Sequence, residues 1–353
     1  MSAPSVPGKR LLIVGNFLSE TKVTRGVCEE LAARLTEKNW SVVTTSPRIR
    51  RFVRLVDMAS TAWRQRDRYE VAQVDVFSGA AFFWAEIVCW VLRRAGKPYI
   101  LTLHGGNLPR FSQRHARRVR RLLASASAVT VPSRYLLEEM KSYREDLRLL
   151  PNGIDLQNYG FRLRERPAPR LVWLRAFHEI YNPSMAPRVL ALLRKEFPDV
   201  RLAMIGPDKK DGSEEAARRV AAELGVADSI DWSSGVAKDR VPEVLERADI
   251  FLNTTNFDNS PVTVIEALAC GLCVVSTDAG GMPYLLNDGE NAILVSCDDA
   301  AAMAEAVSRI LKNPSLAARL SANGRRLAED SDWGRVLPEW QRLIGAVQER
   351  HVA

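Results

Sequence analysis

Short apolar runs of strand length recur along this chain, and a longer stretch with helical period follows almost every one. Strands are expected at 10–15, 40–44, 71–77, 98–103, 128–131 and 147–151, with helices at 24–38, 51–68, 80–95 and 133–141 between them. Ser19 or Thr24 would cap the first helix. The pattern stops over the charged, proline-bearing stretch 156–169 and resumes at Arg170. Strands then fall at 170–174, 200–205, 230–232, 250–253, 273–276 and 292–295. Helices fall at 183–196, 213–224, 241–247, 261–269, 300–311, 315–328 and 337–349. Strand–helix alternation forces parallel pairing through helical crossovers. Two such blocks in succession predict an α/β chain of two Rossmann-like, doubly wound domains facing each other across a cleft. The expected division is 1–155, a linker over 156–169, a second domain over 170–330, and a C-terminal helix at 331–353 crossing back to the first domain.

The stretch 253–283 carries the densest chemistry. It reads as a strand end, a polar loop, a helix opening at Pro261, a glycine stop at Gly271, an apolar strand and the pair Gly280-Gly281. A helix N-terminus presents unpaired N–H groups and a partial positive charge, which suits a phosphate. Asp258 and Glu266 flank that junction and are the wrong sign for phosphate, so they are suited to sugar hydroxyls. The opposite block delivers His104-Gly105-Gly106-Asn107 to the carboxyl end of a strand, where open α/β sheets bind ligands. No G-x-G-x-x-G follows the first strand; Gly15 and Gly26 are all that flank that turn, which argues against a dinucleotide-dependent oxidoreductase.

Charge divides unevenly. Residues 1–150 hold 26 Lys and Arg against 13 Asp and Glu, a surplus of +13, while 151–353 hold 24 against 29, or −5, giving the chain's +8. Six arginines crowd 110–121, and 51–68 sets Phe52, Leu55, Val56, Ala59 and Trp63 against further arginines. A solvated helix face explains either stretch; so does docking on an anionic membrane or a phosphate-bearing acceptor. Nucleic acid is not expected, because no aromatic platform or reading motif accompanies the arginines. Five scattered cysteines suit a reducing compartment, and Cys270-Gly-Leu-Cys273 sits at a helix end, the wrong end to activate a thiolate. The four histidines are dispersed without metal-ligand spacing. No run is long and apolar enough for a bilayer span, and the first residues do not read as a secretory signal. A cytoplasmic protein, peripheral at the inner face of the cell membrane, is the expectation.

Several motifs, in order, resemble those of the GT-B glycosyltransferases, specifically the large retaining family 4. Leu150-Pro-Asn-Gly-Ile-Asp155 resembles the turn ending that family's first domain. Leu174-Arg175 falls where the second domain's first strand ends in a phosphate-binding arginine, and Ser234-Gly235-Val236 where a loop meets the base. Asp258 to Glu266 matches the family's E-x7-E segment without a gap, and Gly271 and Gly280-Gly281-Met-Pro283 follow in register. The resemblance implies a metal-independent, hexosyl-type transferase acting with retention from a nucleotide-diphosphate sugar, with no further cofactor. The acceptor would be a saccharide or lipid-linked molecule, in polysaccharide or other glycoconjugate synthesis. It implies that Glu266 holds the ribose, Asp258 the donor sugar, and the N–H groups following Pro261, at Val262 and Thr263, the diphosphate. Arg175 would neutralise the leaving group and His104 would touch the sugar near its reacting carbon. Gly15, Gly105, Gly106 and Gly235 would line the substrates.

The sequence also departs from the family. Asp258 replaces the usual glutamate, and no lysine follows Arg175, so Asn182 or His178 would stand in for it. Tyr284 occupies a place often held by glutamate. These departures keep two alternatives in view: a nucleotide-sugar-binding partner subunit without activity, and a GT-B nucleotide-sugar epimerase.

Overall fold

The computed structural model describes residues 9–18 and 26–352. The chain separates into two compact units, Met1–Gly153 with Gly334–Ala353, and Ile154–Trp333. The expected caps Ser19 and Thr24 lie outside the described residues.

The first unit runs β1 (Arg10–Val14), α1 (Val27–Glu37), β2 (Ser41–Thr45), α2 (Arg51–Arg64), β3 (Val71–Val76), α3 (Ala80–Arg94), β4 (Tyr99–Leu103), α4 (Leu108–Arg114), α5 (Ala116–Ala124), β5 (Ala128–Val131), α6 (Arg134–Met140) and β6 (Arg148–Leu149). Its six strands are parallel in the order β2-β1-β3-β4-β5-β6. The connection reverses direction between β1 and β3, so the ends of these two strands bound a crevice. Gly26 opens α1, and its N–H donates to the Glu29 side chain at 2.6 Å. The arginine run 110–121 forms two short helices that meet at His115.

Helix α2 differs from its apolar pattern. Its buried positions are Arg54, Met58 and Ala62, while Phe52, Val53, Val56 and Trp63 are exposed. Of the apolar side chains picked out by period, Phe52, Val56 and Trp63 therefore point outward, while Ala59 packs against the core. Phe83 and Trp90 are likewise exposed on α3, which packs against α2.

The second unit continues with β7 (Arg170–Leu174), α7 (Met185–Leu193), β8 (Arg201–Ile205), α8 (Ser213–Glu223), β9 (Ile230–Ser233), α9 (Val241–Glu246), β10 (Ile250–Asn253), α10 (Val262–Ala269), β11 (Cys273–Thr277), α11 (Met282–Leu285), β12 (Ile293–Val295), α12 (Ala300–Lys312) and α13 (Pro314–Glu329). Its sheet order is β12-β11-β10-β7-β8-β9, all parallel, and its switch of direction lies between β7 and β10. Counted from β7, this is the 3-2-1-4-5-6 order of a Rossmann sheet. Leu171 and Trp173 pack into one buried layer and Val172 and Leu174 into the other. Both faces of the sheet are covered, which is why its strands read as continuous apolar runs.

The stretch 156–169 holds no regular element beyond one 3-10 turn, Leu156–Asn158, yet it is tied to the second unit. Arg164 is 1% exposed, bonds the carbonyls of Cys270 and Ala248, and meets Asp249, which Arg162 and Arg170 also engage. The final helix, α14 (Trp333–Val352), is grouped from Gly334 onward with the first unit. Gln348 there donates to Glu70 at 2.7 Å, and a ring nitrogen of His351 lies 2.9 Å from the Gly96 carbonyl.

Candidate functional site

Most of the residues picked out from sequence in the second block gather at the β7/β10 switch point. Arg175 follows β7, and its N–H bonds the Ile205 carbonyl at 3.0 Å. Gly206 lets the two turns approach this closely: a Cβ there would lie 1.6 Å from the Arg175 carbonyl oxygen. The guanidinium pairs with Asp258, reaches Thr263 Oγ1 at 3.5 Å and lies over the Tyr181 ring at 4.3 Å. Burial lowers the pKa of Arg175, while Tyr181 and Glu266 act in the opposite direction. The arginine and the first acid, assigned to separate parts of the donor from sequence, are thus partners in this structure.

The loop holding Asp258 is fastened from several sides. Trp173 Nε1 donates to Thr254 Oγ1 at 2.8 Å, which in turn donates to the Tyr181 carbonyl at 2.7 Å. The double glycine completes the seat. Gly281 N–H donates to the Asp258 carbonyl at 2.7 Å, and Cβ atoms at Gly280 and Gly281 would lie 2.4 Å from Asp258 O and 1.9 Å from Asn259 O. These glycines are required by backbone packing; Gly280 also has φ +59°.

Pro261 caps α10 with its own carbonyl, which Val264 N–H meets at 3.1 Å. The N–H groups of Val262 and Thr263, just before it in the same first turn, have no intrahelical partner. Glu266, on the next turn, is completely buried. Its Oε1 accepts from Tyr159 Oη at 2.6 Å and from Lys238 Nζ. Its Oε2 is buried with no hydrogen-bond partner. A buried carboxylate oxygen left bare costs free energy unless a donor reaches it. Burial and the neighbouring carboxylate push the Tyr159 hydroxyl well above its ordinary pKa, keeping it a donor. Gly235, with φ +119°, turns the loop beside Pro207 that leads to Lys238.

Asn182 and His178, expected in the missing lysine's place, hold bonds of their own in this structure. Asn182, in the left-handed region at φ 43°, donates to Asp298 at 3.1 Å. His178 Nδ1 accepts from Ile180 N–H at 3.1 Å, and its other nitrogen faces Asp211. The cations at this site are Arg175 and Lys238. Cys270 and Cys273 are buried free thiols whose pKa burial pushes up to about 12, so they remain unreactive packing residues.

In the first unit His104 follows β4, and its Nε2 lies 2.9 Å from Asp75 Oδ1. Gln73 Nε2 donates both to Asp75 Oδ1 and to Thr102 Oγ1, each at 2.8 Å, and Thr130 Oγ1 reaches Thr102 Oγ1 at 3.0 Å. Phe77 stacks on the imidazole with centroids 5.0 Å apart. The ring is thus oriented by a buried polar chain. Gly105 makes the turn after it at φ +85°, with Gly106 next. A Cβ at Gly15 would lie 2.7 Å from Asp75 Oδ2, so Gly15 serves the seating of that carboxylate.

Tyr159, Lys238, Asp75 and Gln73 went unnoticed in the sequence. Asp75 and Gln73 left a signal there: two polar residues at period two inside an otherwise apolar strand. Lys238 follows the recognised Ser234-Gly235-Val236 turn. Tyr159 lies in the aperiodic stretch, 107 positions before its partner, and gave none.

Comparison with known proteins accounts for both halves. Residues 23–158 match the family described as Glycosyltransferase Family 4, and residues 167–327 match Glycosyl transferases group 1. The chain belongs to glycosyltransferase family 4, on the GT-B fold. The transferase is 29% identical over 261 residues to the GDP-mannose-dependent alpha-(1-6)-phosphatidylinositol monomannoside mannosyltransferase of Mycolicibacterium smegmatis, covering 68% of each chain. It is 28% identical over 263 residues to the MMP alpha-(1->4)-mannosyltransferase of Mycolicibacterium hassiacum, covering 73% of this chain and 60% of that relative. Among solved structures, HepE of Anabaena in complex with UDP superposes with a TM-score of 0.75 at 15% identity, covering 96% of this chain and 100% of the other. A sucrose-phosphate synthase from Thermosynechococcus elongatus gives 0.75 at 18% identity, covering 96% and 98%. Among the described residues of the transferase, no helix is long and apolar enough to cross a membrane, and no three His, Cys, Asp or Glu side chains gather as metal ligands.

Proposed function

We propose that this glycosyltransferase moves a hexosyl group from a nucleotide-diphosphate sugar to a saccharide or lipid-linked acceptor, with retention and without a metal ion. The bare Oε2 of Glu266, buried beside a helix N-terminus and an arginine at a Rossmann switch point, is the observation that carries the reading. Glu266 accepts hydrogen bonds from the ribose, and the Val262 and Thr263 N–H groups meet the diphosphate. Arg175 exchanges Asp258 for the phosphate oxygens and stabilises charge on the departing diphosphate as the oxocarbenium-like state forms. Asp258, released by that exchange, accepts from hydroxyls of the sugar. His104, its ring set by Asp75 and Phe77, is assigned contact with the sugar near its reacting carbon. One relative is a GDP-mannose-dependent enzyme and one structural neighbour was solved in complex with UDP, so both nucleotides belong in a test.

The protein is further proposed to work in the cytoplasm, peripheral on an anionic membrane, in polysaccharide or other glycoconjugate synthesis. The surplus of +13 in residues 1–150 and the outward Phe52, Val56, Trp63, Phe83 and Trp90 support this placement. The test is a melting-temperature screen with nucleoside diphosphates and their sugars, followed by NMR of the product's anomeric configuration. A rise with one nucleotide and a product that keeps the donor's configuration are expected. An inverted product would overturn the assignment of retention.

The lack of a lysine shortly after Arg175 in the sequence favours one other reading, a partner subunit that binds the donor without turning it over. Hydrolysis or transfer by the purified chain excludes it.

A further inference from the structure

The loop between β9 and α9 carries a lysine whose partner lies far from it in sequence. Gly235 turns the chain beside Pro207, and one 3-10 turn, Lys238–Arg240, leads into α9. Val241 and Leu245 at α9 are buried in the same apolar layer as Val264, Ile265 and Leu268 of α10. That packing sets Lys238 beside Glu266. Asp239 and Glu243 are nearer in the chain, yet among the described residues Lys238 pairs with Glu266, and Glu243 pairs with Arg240. The two side chains of the Lys238 pair differ in surroundings: the lysine is 50% exposed and the glutamate 1%. A buried carboxylate is costly unless paired, and that cost draws a flexible, half-exposed lysine to it.

Protons and lone pairs can be counted at this carboxylate. Glu266 Oε1 offers two acceptor positions, filled by Tyr159 Oη at 2.6 Å and by Lys238 Nζ. Oε2 is buried and has neither position filled. Tyr159 has a single proton, already given to Oε1. An ammonium has three, and among the described residues Glu266 is the one acceptor that Lys238 meets, so two of its N–H groups stay available. An empty acceptor and an uncommitted donor thus stand beside the same carboxylate. A vicinal diol is their complement: one hydroxyl gives its proton to Oε2, and a lone pair of the diol accepts from the ammonium. A phosphate suits the ammonium alone, and a deoxyribose fills only part of the pair.

We infer that Lys238 is a specificity-determining residue of the donor site: held at one corner by Glu266, its ammonium donates to the ribose diol and makes the site select a ribonucleotide over its deoxy forms. The inference deepens the donor-site reading above and rests on it. A site built around a substrate hydroxyl rejects the analogue that lacks it, because its buried polar groups are then left unpaired. Here that group is Oε2, and Lys238 is the donor that completes the match.

UDP and GDP, their 2′-deoxy and 3′-deoxy forms, and the 2′,3′-dialdehydes made by periodate cleavage of each ribose are the probes. Calorimetry on the parent protein should show the ribonucleotide that binds favoured about tenfold or more over its weaker deoxy form. Lys238→Met should narrow that preference severalfold, by weakening the ribonucleotide while hardly changing the deoxy form. Lys238→Arg, which keeps the charge and the donors, should restore most of it. The dialdehyde reads contact directly. A lysine amine beside the ribose adds to an aldehyde and loses water to form an imine, which borohydride reduces to a secondary amine that mass spectrometry locates. Capture is expected at Lys238 of the parent protein and not at that position in Lys238→Arg. A lysine that only neutralises Glu266 leaves a different record: Lys238→Met weakens ribonucleotide and deoxy forms equally, or not at all, and no label sits at Lys238. Either of those results would overturn the inference while the donor reading stands. Failure of both nucleotides to bind the parent protein would overturn the donor reading and this inference together.

Discussion

Glu266 concentrates the argument at the residue scale. A fully buried carboxylate survives because Tyr159 and Lys238 both serve Oε1, which leaves Oε2 for the hydroxyls that the proposed function assigns to it. Glu266→Ala should weaken nucleotide binding by about 1.5–3 kcal/mol, the worth of hydrogen bonds to a charged group. Tyr159→Phe removes one hydrogen bond to the carboxylate and should cost about 1.5–3 kcal/mol of stability, measured by urea unfolding. An unchanged midpoint would mean that the hydroxyl does not hold the acid. Arg175→Ala is a different experiment, because it strips Asp258 of its partner as well as the diphosphate of its cation. It should lower turnover more than affinity; a loss confined to affinity would place the arginine in ground-state binding alone. Sequence showed Glu266 and Asp258 by their spacing on either side of a helix start. It hid the partners, since Tyr159 and Lys238 are brought in by tertiary packing from 107 and 28 positions away.

At the scale of elements, the strand and helix order was readable because parallel strands buried on both faces stay apolar throughout, while crossover helices keep a 3.6-residue period. Helix α2 was harder. Periodicity showed an apolar stripe but not which way it faced, and here the buried side is built on Arg54, Met58 and Ala62. The stretch 156–169 looked like a tether because it has no period; its order comes from ion pairs instead. Asp249, 1% exposed, holds Arg162, Arg164 and Arg170 together. Burial acts to raise the Asp249 pKa, but Arg162, the Ala168 N–H and Arg170 outweigh it and hold the value below the ordinary one. A depressed carboxylate contributes stability above its unfolded pKa of about 3.9 and loses it as pH falls through the folded value. Asp249→Asn should therefore cost about 3–5 kcal/mol at neutral pH, and the gap to the parent protein should narrow on acidification below pH ~4. A gap independent of pH would assign the cost to packing. Gly281→Ala tests the loop seat: the added methyl meets Asn259 O, so nucleotide binding should fall with it. Full binding with an unchanged melting temperature would show that the close approach is dispensable.

For the whole molecule, the charge division read from sequence falls on the first of the two units, where the outward aromatic residues of α2 and α3 also lie. Attraction of that unit to anionic vesicles should be strong at low salt and weaken as the Debye length shrinks to about 10 Å near 0.1 M. No sedimentation with such vesicles even at low salt would remove the membrane from the account. The proposed function places the donor at the second unit's switch point, on Glu266 and Arg175. The donor half is the claim on which the rest depends. Calorimetric titration of UDP and GDP into the parent protein and Glu266→Ala tests it most directly. The account predicts one saturable site for one of the two nucleotides, weakened roughly 10- to 150-fold by the substitution. Binding of equal strength to both proteins, or of neither nucleotide to the parent, would contradict it.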